Sequence, residues 1–178
     1  MTGAFNKQIA NRNFLSATGF KFILSRVPKV DFFSQTASIP GINLGTAIQP
    51  SYLKDIPVPG DKLTFEDFTL QFNVDENLEN YMEIQNWMRG LGYPDSIAEY
   101  DKWRLSDPIN PTQDPNLSDG SLIIFNSNFN PIATVRFEGM FPISLSTLQF
   151  DATSTDVQYI TAQVSFKYAI YKINKHES

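Results

Sequence analysis

The chain has 178 residues, 42% of them hydrophobic, enough for one domain with a substantial core. Its 14 Lys and Arg against 19 Asp and Glu leave a formal net charge of −5, which excludes binding of nucleic acid through clustered basic side chains. The absence of cysteine excludes disulfide frameworks and thiolate metal sites, and the single histidine, His176, lies in a polar tail with no identifiable partner, so catalytic triads that depend on His are not expected.

The opening "MTGAFNKQIANRNFL" has no basic region ahead of an apolar core, so no secretory signal is expected. No run of ~18 apolar residues exists, so no membrane span is expected either. Residues 1–18 read as a polar, Asn-rich arm or short helix. "GFKFILSRV" (19–27) puts Phe20, Phe22 and Leu24 on one side at strand period, and "VDFFSQTASI" (30–39) is a second strand. Pro28-Lys29 between them predicts a hairpin turn. Residues 41–62 carry Pro50, Pro57 and Pro59 with Gly41, Gly45 and Gly60, and read as a long extended hairpin or arm on the surface.

"LTFEDFTLQFNV" (63–74) predicts a strand with Phe68, Leu70, Phe72 and Val74 on one face. Phe65 is out of phase with them, so a bulge or bend is expected near Glu66-Asp67. Asp75 is the expected N-cap of a helix over 76–91, with Glu76 and Glu79 in its first turn and Gly90 and Gly92 as stop signals. Tyr81, Ile84, Trp87, Met88 and Leu91 fill one broad face, which Leu78 and Met82 widen. Such an arc is too wide for a helix resting on one sheet. The helix is therefore wedged between two surfaces of its own fold or meets a neighbouring subunit.

Residues 93–120 lack periodicity and predict a long, acidic surface loop, with or without one short helical turn. Strands resume with "SLIIF" (121–125), the turn "NSNFNP" and "IATVRFEGMF" (132–141), and the short "ISLSTLQF" (143–150) reads as strand or irregular. "VQYITAQVSFKYAIYKI" (157–173) alternates Ile160, Ala162, Val164, Phe166, Tyr168 and Ile170 against Thr161, Gln163, Ser165 and Lys167. One strand over that range spans about 55 Å. It is expected either to belong to a larger assembly or to bend midway.

Nothing in the sequence points to catalysis, a metal or a cofactor. His176 sits in a polar tail, where it is expected to be solvated. Glu66-Asp67 and Asp75-Glu76 could pair as hydrolytic carboxylates, but a strand-end turn and a helix start explain them better. "DPNLSDGS" (114–121) lacks calcium-loop spacing. Trp87 and Trp103 could form a sugar platform, yet Trp87 belongs to the helix stripe. Asn116-Leu117-Ser118 matches a glycosylation acceptor by chance.

The order of these features resembles the tail tube protein family of contractile-tailed bacteriophages, itself related to type VI secretion tubes. The likeness runs through "IPVPGDKLTFEDFTLQFNVDENLENYMEIQNWMRGL" (56–91): a Pro/Gly turn at Gly60-Asp61, a strand with Phe65, Asp67 and Phe68, an acidic pair, then the helix with Trp87. It continues in 135–171, where an E-G-x-x-P turn (Glu138, Gly139, Pro142) precedes "LQFD" and the long last strand. The resemblance implies a mainly β protein, a two-sheet β-sandwich or small β-barrel with one flanking helix, in a single domain over 1–178. It implies hexameric rings whose inner sheets join into one barrel and stack into a tube through which DNA passes during ejection. Implied partners are further copies of the chain and the sheath, baseplate and tail terminator proteins, with no enzyme activity, no cofactor and no membrane. The implied location is the virion tail, after synthesis in the host cytoplasm.

On that reading, Ile48, Tyr52, Leu53 and Ile56 of the arm, with Met82 and Trp87 of the helix, are the candidate assembly-interface residues. Thr161, Gln163, Ser165 and Lys167 are the candidate lumen-facing residues. Three of those four are neutral, and Lys167 needs a nearby carboxylate to offset it. The alternatives are a baseplate protein that initiates the tube, a type VI-like tube protein, a monomeric ligand-binding β-sandwich using Trp103 and the 93–120 loop, and a carboxylate hydrolase.

Overall fold

The computed structural model describes residues 14–17, 19–27, 33–99, 101, 116–153 and 159–176. The expected N-terminal arm, except for 14–17, the Pro28-Lys29 turn and Trp103 lie outside them. The strands are β1 (Phe20–Leu24), β2 (Ser34–Ala37), β3 (Ile42–Gln49), β4 (Ile56–Phe65), β5 (Phe68–Asn73), β6 (Ser118–Phe125), β7 (Pro131–Leu145), β8 (Thr161–Lys167) and β9 (Ile170–Lys175), with helix α1 (Glu79–Gly92) between β5 and β6. The protein is mainly β and is built on two antiparallel sheets that share one strand. The first runs β1-β6-β7-β9 and the second β2-β5-β8-β7.

Strand β7 makes this possible. Residues 133–138 pair with β9 while the same stretch pairs with β6 on its other side, and residues 141–145 pair with β8. The strand must bend between the two halves, and Gly139 supplies a φ of +66°, which side chains with a Cβ rarely adopt. Asp119 braces the bend: its carboxylate accepts from the Gly139 N–H at 3.3 Å and pairs with Arg136 at 3.1 Å. The family resemblance implied a turn at Glu138, Gly139 and Pro142, whereas the residue pattern placed Glu138 and Gly139 in a strand over 132–141 that ended before Pro142. All three residues lie inside one strand instead, because a bulge absorbs the glycine and the proline near the sheet edge.

The inner faces interdigitate through aromatic rings. Phe68 of β5 lies 5.0 Å from Phe22 of β1 and 4.7 Å from Phe137 of β7, centroid to centroid. Leu70, Phe72, Val135, Ala162, Val164 and Phe166 complete a dry core. Helix α1 covers part of it, with Trp87 6.2 Å from Phe166.

Three further expectations are corrected. First, β1 and β2 do not form a hairpin: β1 pairs with β6 and β2 with β5, so the two strands belong to different sheets. Second, the helix starts at Glu79, not 76, and Asp75 does not cap it by its side chain. Buried Asn80 explains the delay: its side-chain oxygen accepts from the Asp75 N–H at 3.1 Å and its amide donates to the Asn73 carbonyl at 2.8 Å. Those bonds hold residues 73–78 as a turn. At the other end the helix runs through buried Gly90 to Gly92, and Tyr93 takes the left-handed capping position, its N–H donating to the Arg89 carbonyl. Third, Ile170, expected on the core side, is exposed: the long last strand bends at Tyr168-Ala169, one of the two outcomes expected for it, and β9 then lies on the other sheet.

Candidate functional site

Alternation in β5 and β8 sends every second side chain outward. Across the antiparallel pair, Thr69 stands opposite Ser165, Gln71 opposite Gln163 and Asn73 opposite Thr161. The four residues expected to face a lumen are thus on one face, and Ala162, Val164 and Phe166 between them are buried. The β5 half of the same face, Thr69, Gln71 and Asn73, was missed, although "FTLQFN" carries the same period-two signal. Lys167 is the one cation on these two strands, and the carboxylate it requires is Asp67, with Nζ–Oδ1 at 2.6 Å. An exposed pair of this kind adds little stability. It does cancel the charge. The face is extended beyond Leu145 by Ser146, whose hydroxyl accepts from the Gln163 N–H at 2.8 Å.

The second surface is the β3–β4 hairpin. Its register runs from Ile42 opposite Phe65 to Gln49 opposite Ile56, and among the described residues its strands pair with no others. Pro57 and Pro59 lack donors, which a two-stranded ribbon tolerates because each strand has one unpaired edge. At the mid-hairpin bulge a Cβ on Gly60 would meet the Gly45 carbonyl oxygen at 2.6 Å, so only glycine permits that approach. Strand β4 continues to Phe65, past the expected end of the arm at 62, and the break at Glu66-Asp67 marks a change of sheet. All four arm candidates are exposed. Tyr52 at 101% and Leu53 at 92% stand fully in solvent at the tip, with Ile48 and Ile56 behind them.

On helix α1 the two candidates separate. Met82 is 49% exposed, as a surface residue must be. Trp87 is 1% exposed and has no surface to offer a neighbour, which corrects its place among the interface candidates. Of the predicted apolar arc, Ile84 and Trp87 are buried, Tyr81, Met88 and Leu91 pack partly against the core, and Leu78 and Met82 are left over. Tyr81 also donates its hydroxyl to the Ser146 carbonyl at 3.1 Å, tying the helix to the end of β7.

A third cluster was not foreseen. Phe65, Phe137, Tyr168 and Tyr171 form an aromatic group at the base of the hairpin, with ring centroids 5.1 to 6.0 Å apart. Burial, and then the neighbouring Tyr171, Asp67 and Glu66, push the Tyr168 hydroxyl up to about 12.

Asp67 is engaged with Lys167, and among the described residues no group of three or more metal-ligating side chains stands together. His176 is exposed, as expected, and its Nε2 lies 2.8 Å from the Thr134 hydroxyl.

A family model for phage tail tube proteins matches residues 4–174. No curated protein sequence matches. Among solved structures the chain is similar to a protein of the anti-feeding prophage tube-terminating cap, at 20% identity over 97% of this chain and 98% of that one, with a TM-score of 0.59. It is similar to a protein of the sheath–tube complex of the PVC extracellular contractile injection system in its extended state, at 17% identity over 98% and 100%, TM-score 0.56. It is also similar to a protein of the anti-feeding prophage baseplate, at 13% identity over 88% and 91%, TM-score 0.58. At these identities the structural likeness concerns the fold.

Proposed function

The chain belongs to the phage tail tube protein family, whose members are structural tube components and not enzymes, and from that premise we propose that it forms hexameric rings that stack into the channel of a contractile tail. The chain is then a single tube domain. In each ring the second sheets of neighbouring subunits join edge to edge, which removes exposed strand edges. The β5–β8 outward face then lines the channel, and DNA passes along it during ejection. The observation that supports this most is the chemistry of that face: neutral hydroxyl and amide side chains, with Lys167 offset by Asp67. Such a wall does not hold a phosphate backbone, so DNA slides. The sheath, baseplate and terminator proteins are the partners this role requires, and the virion tail, after synthesis in the host cytoplasm, is its location.

Negative-stain microscopy of the purified chain tests the reading directly: rings or tubes are expected, and monomers under all conditions would point to a free β-sandwich. Similarity to a baseplate protein favours one variant, a tube-initiating subunit. Copy number in purified particles separates the two, since a tube subunit is present in many rings and an initiator in one.

The exposed apolar tip of the hairpin is costly to leave in water, and in the proposed tube it contacts the adjacent ring. Deleting residues 46–57 should leave a folded core, by circular dichroism, that no longer stacks. Long tubes from that variant would remove the hairpin from the stacking contact. Met82 in turn is proposed to meet the neighbouring subunit within a ring. Met82→Glu should fold with an unchanged melting temperature but remain monomeric by light scattering, and normal ring assembly would show that the helix faces no neighbour.

A further inference from the structure

Since the hairpin strands pair only with each other among the described residues, its direction is decided at its root, where Pro40-Gly41 lead into β3 and Phe65-Glu66 leave β4. The root itself is closed by one backbone bond, from the Glu66 N–H to the Gly41 carbonyl at 3.1 Å. Both sides of it are gripped by one short segment, the corner where β8 passes into β9. The Tyr168 hydroxyl donates to the Glu66 carbonyl at 2.8 Å, and the Tyr171 hydroxyl donates to the Pro40 carbonyl at 3.1 Å. The two rings lie against Phe65 at 6.0 and 5.6 Å and rest on Phe137 at 5.1 and 5.7 Å, so the corner is seated on the core.

We infer that Tyr168 and Tyr171 are positioning residues for assembly: their hydroxyls clamp the two root strands and preset the angle at which the hairpin leaves the sandwich to meet a second copy of the chain. A hairpin already aimed does not have to be ordered when the contact forms, and preorganisation of this kind raises both rate and affinity. Burial and the neighbouring Tyr171, Asp67 and Glu66 push the Tyr168 hydroxyl up to about 12, so it keeps its proton, and its hydrogen bond, through neutral and mildly alkaline pH. The consequence for assembly rests on the stacking role proposed for the hairpin, whereas the clamp does not.

The absence of cysteine makes the test clean. Ser51→Cys and Gln85→Cys place two spin labels, one near the hairpin tip and one on the exposed side of α1. In the unassembled full-length chain the distance distribution between them should be narrow. Adding Tyr168→Phe and Tyr171→Phe together keeps every ring contact, and should widen the distribution about twofold, with each single change in between, because two root hydrogen bonds are lost. A distribution as narrow as in the parent overturns the clamp. The same double variant, without labels, should assemble about tenfold more slowly. A widened distribution with an unchanged assembly rate upholds the clamp and instead removes the hairpin from the stacking contact.

Discussion

Trp87→Ala should lower the stability of the chain by about 3–5 kcal/mol, the range for emptying a large aromatic site in a core that relaxes only in part. Trp87 is 1% exposed, lies 6.2 Å from Phe166 and has the Arg26 guanidinium 5.8 Å above its ring. It packs α1 against β8 of the second sheet, so its loss loosens the helix as well as the cavity lining. Trp87→Phe should cost much less, since it keeps a ring in place and deletes a buried indole N–H that has no hydrogen-bond acceptor. Urea unfolding of the three proteins measures both effects. A loss of less than about 1 kcal/mol for Trp87→Ala would mean that the site collapses freely and that the helix is held elsewhere.

Gln163→Arg with Ser165→Arg should leave ring and tube assembly intact and stop DNA from passing. Both side chains stand on the outward face of β8, away from the core, so folding is not at stake. Each subunit gains two positive charges, and a hexameric ring gains about twelve, repeated along every stacked ring; counterion release then makes the wall adhesive to the phosphate backbone. The measurement is ejection kinetics at low and high salt, with tubes verified by microscopy. Slow or failed ejection, relieved by salt, is the expected result. Unchanged ejection at low salt would show that this face does not line the channel.

Local pattern carried most of the strand assignment. The alternation in 68–74 and 161–167 marked buried and outward faces without any knowledge of partners, because a period of two is set by the backbone itself. Prolines and glycines marked 41–62 as an extended ribbon for an equally local reason. The misplaced phase of Phe65 marked a break at Glu66-Asp67, though not its meaning. Phe65 is out of phase because it belongs to the hairpin root and packs on Tyr168 and Tyr171, far along the chain.

What the sequence alone determined, then, is the class of protein and its exclusions: mainly β with a helix after β5, acidic, without thiols or a catalytic constellation, and with one neutral face and one apolar ribbon. What only the tertiary structure decided is pairing and direction. The partner of β1 is β6 rather than β2, Glu138 to Pro142 form the interior of a strand rather than a turn, and the helix begins at Glu79 because Asn80 binds back to Asn73 and Asp75. The Asp67–Lys167 pair and the two tyrosine bonds at the hairpin root join residues about a hundred positions apart. Periodicity is a property of each segment by itself, whereas these contacts exist only once the segments are packed, and a side chain carries no local mark of a partner that distant.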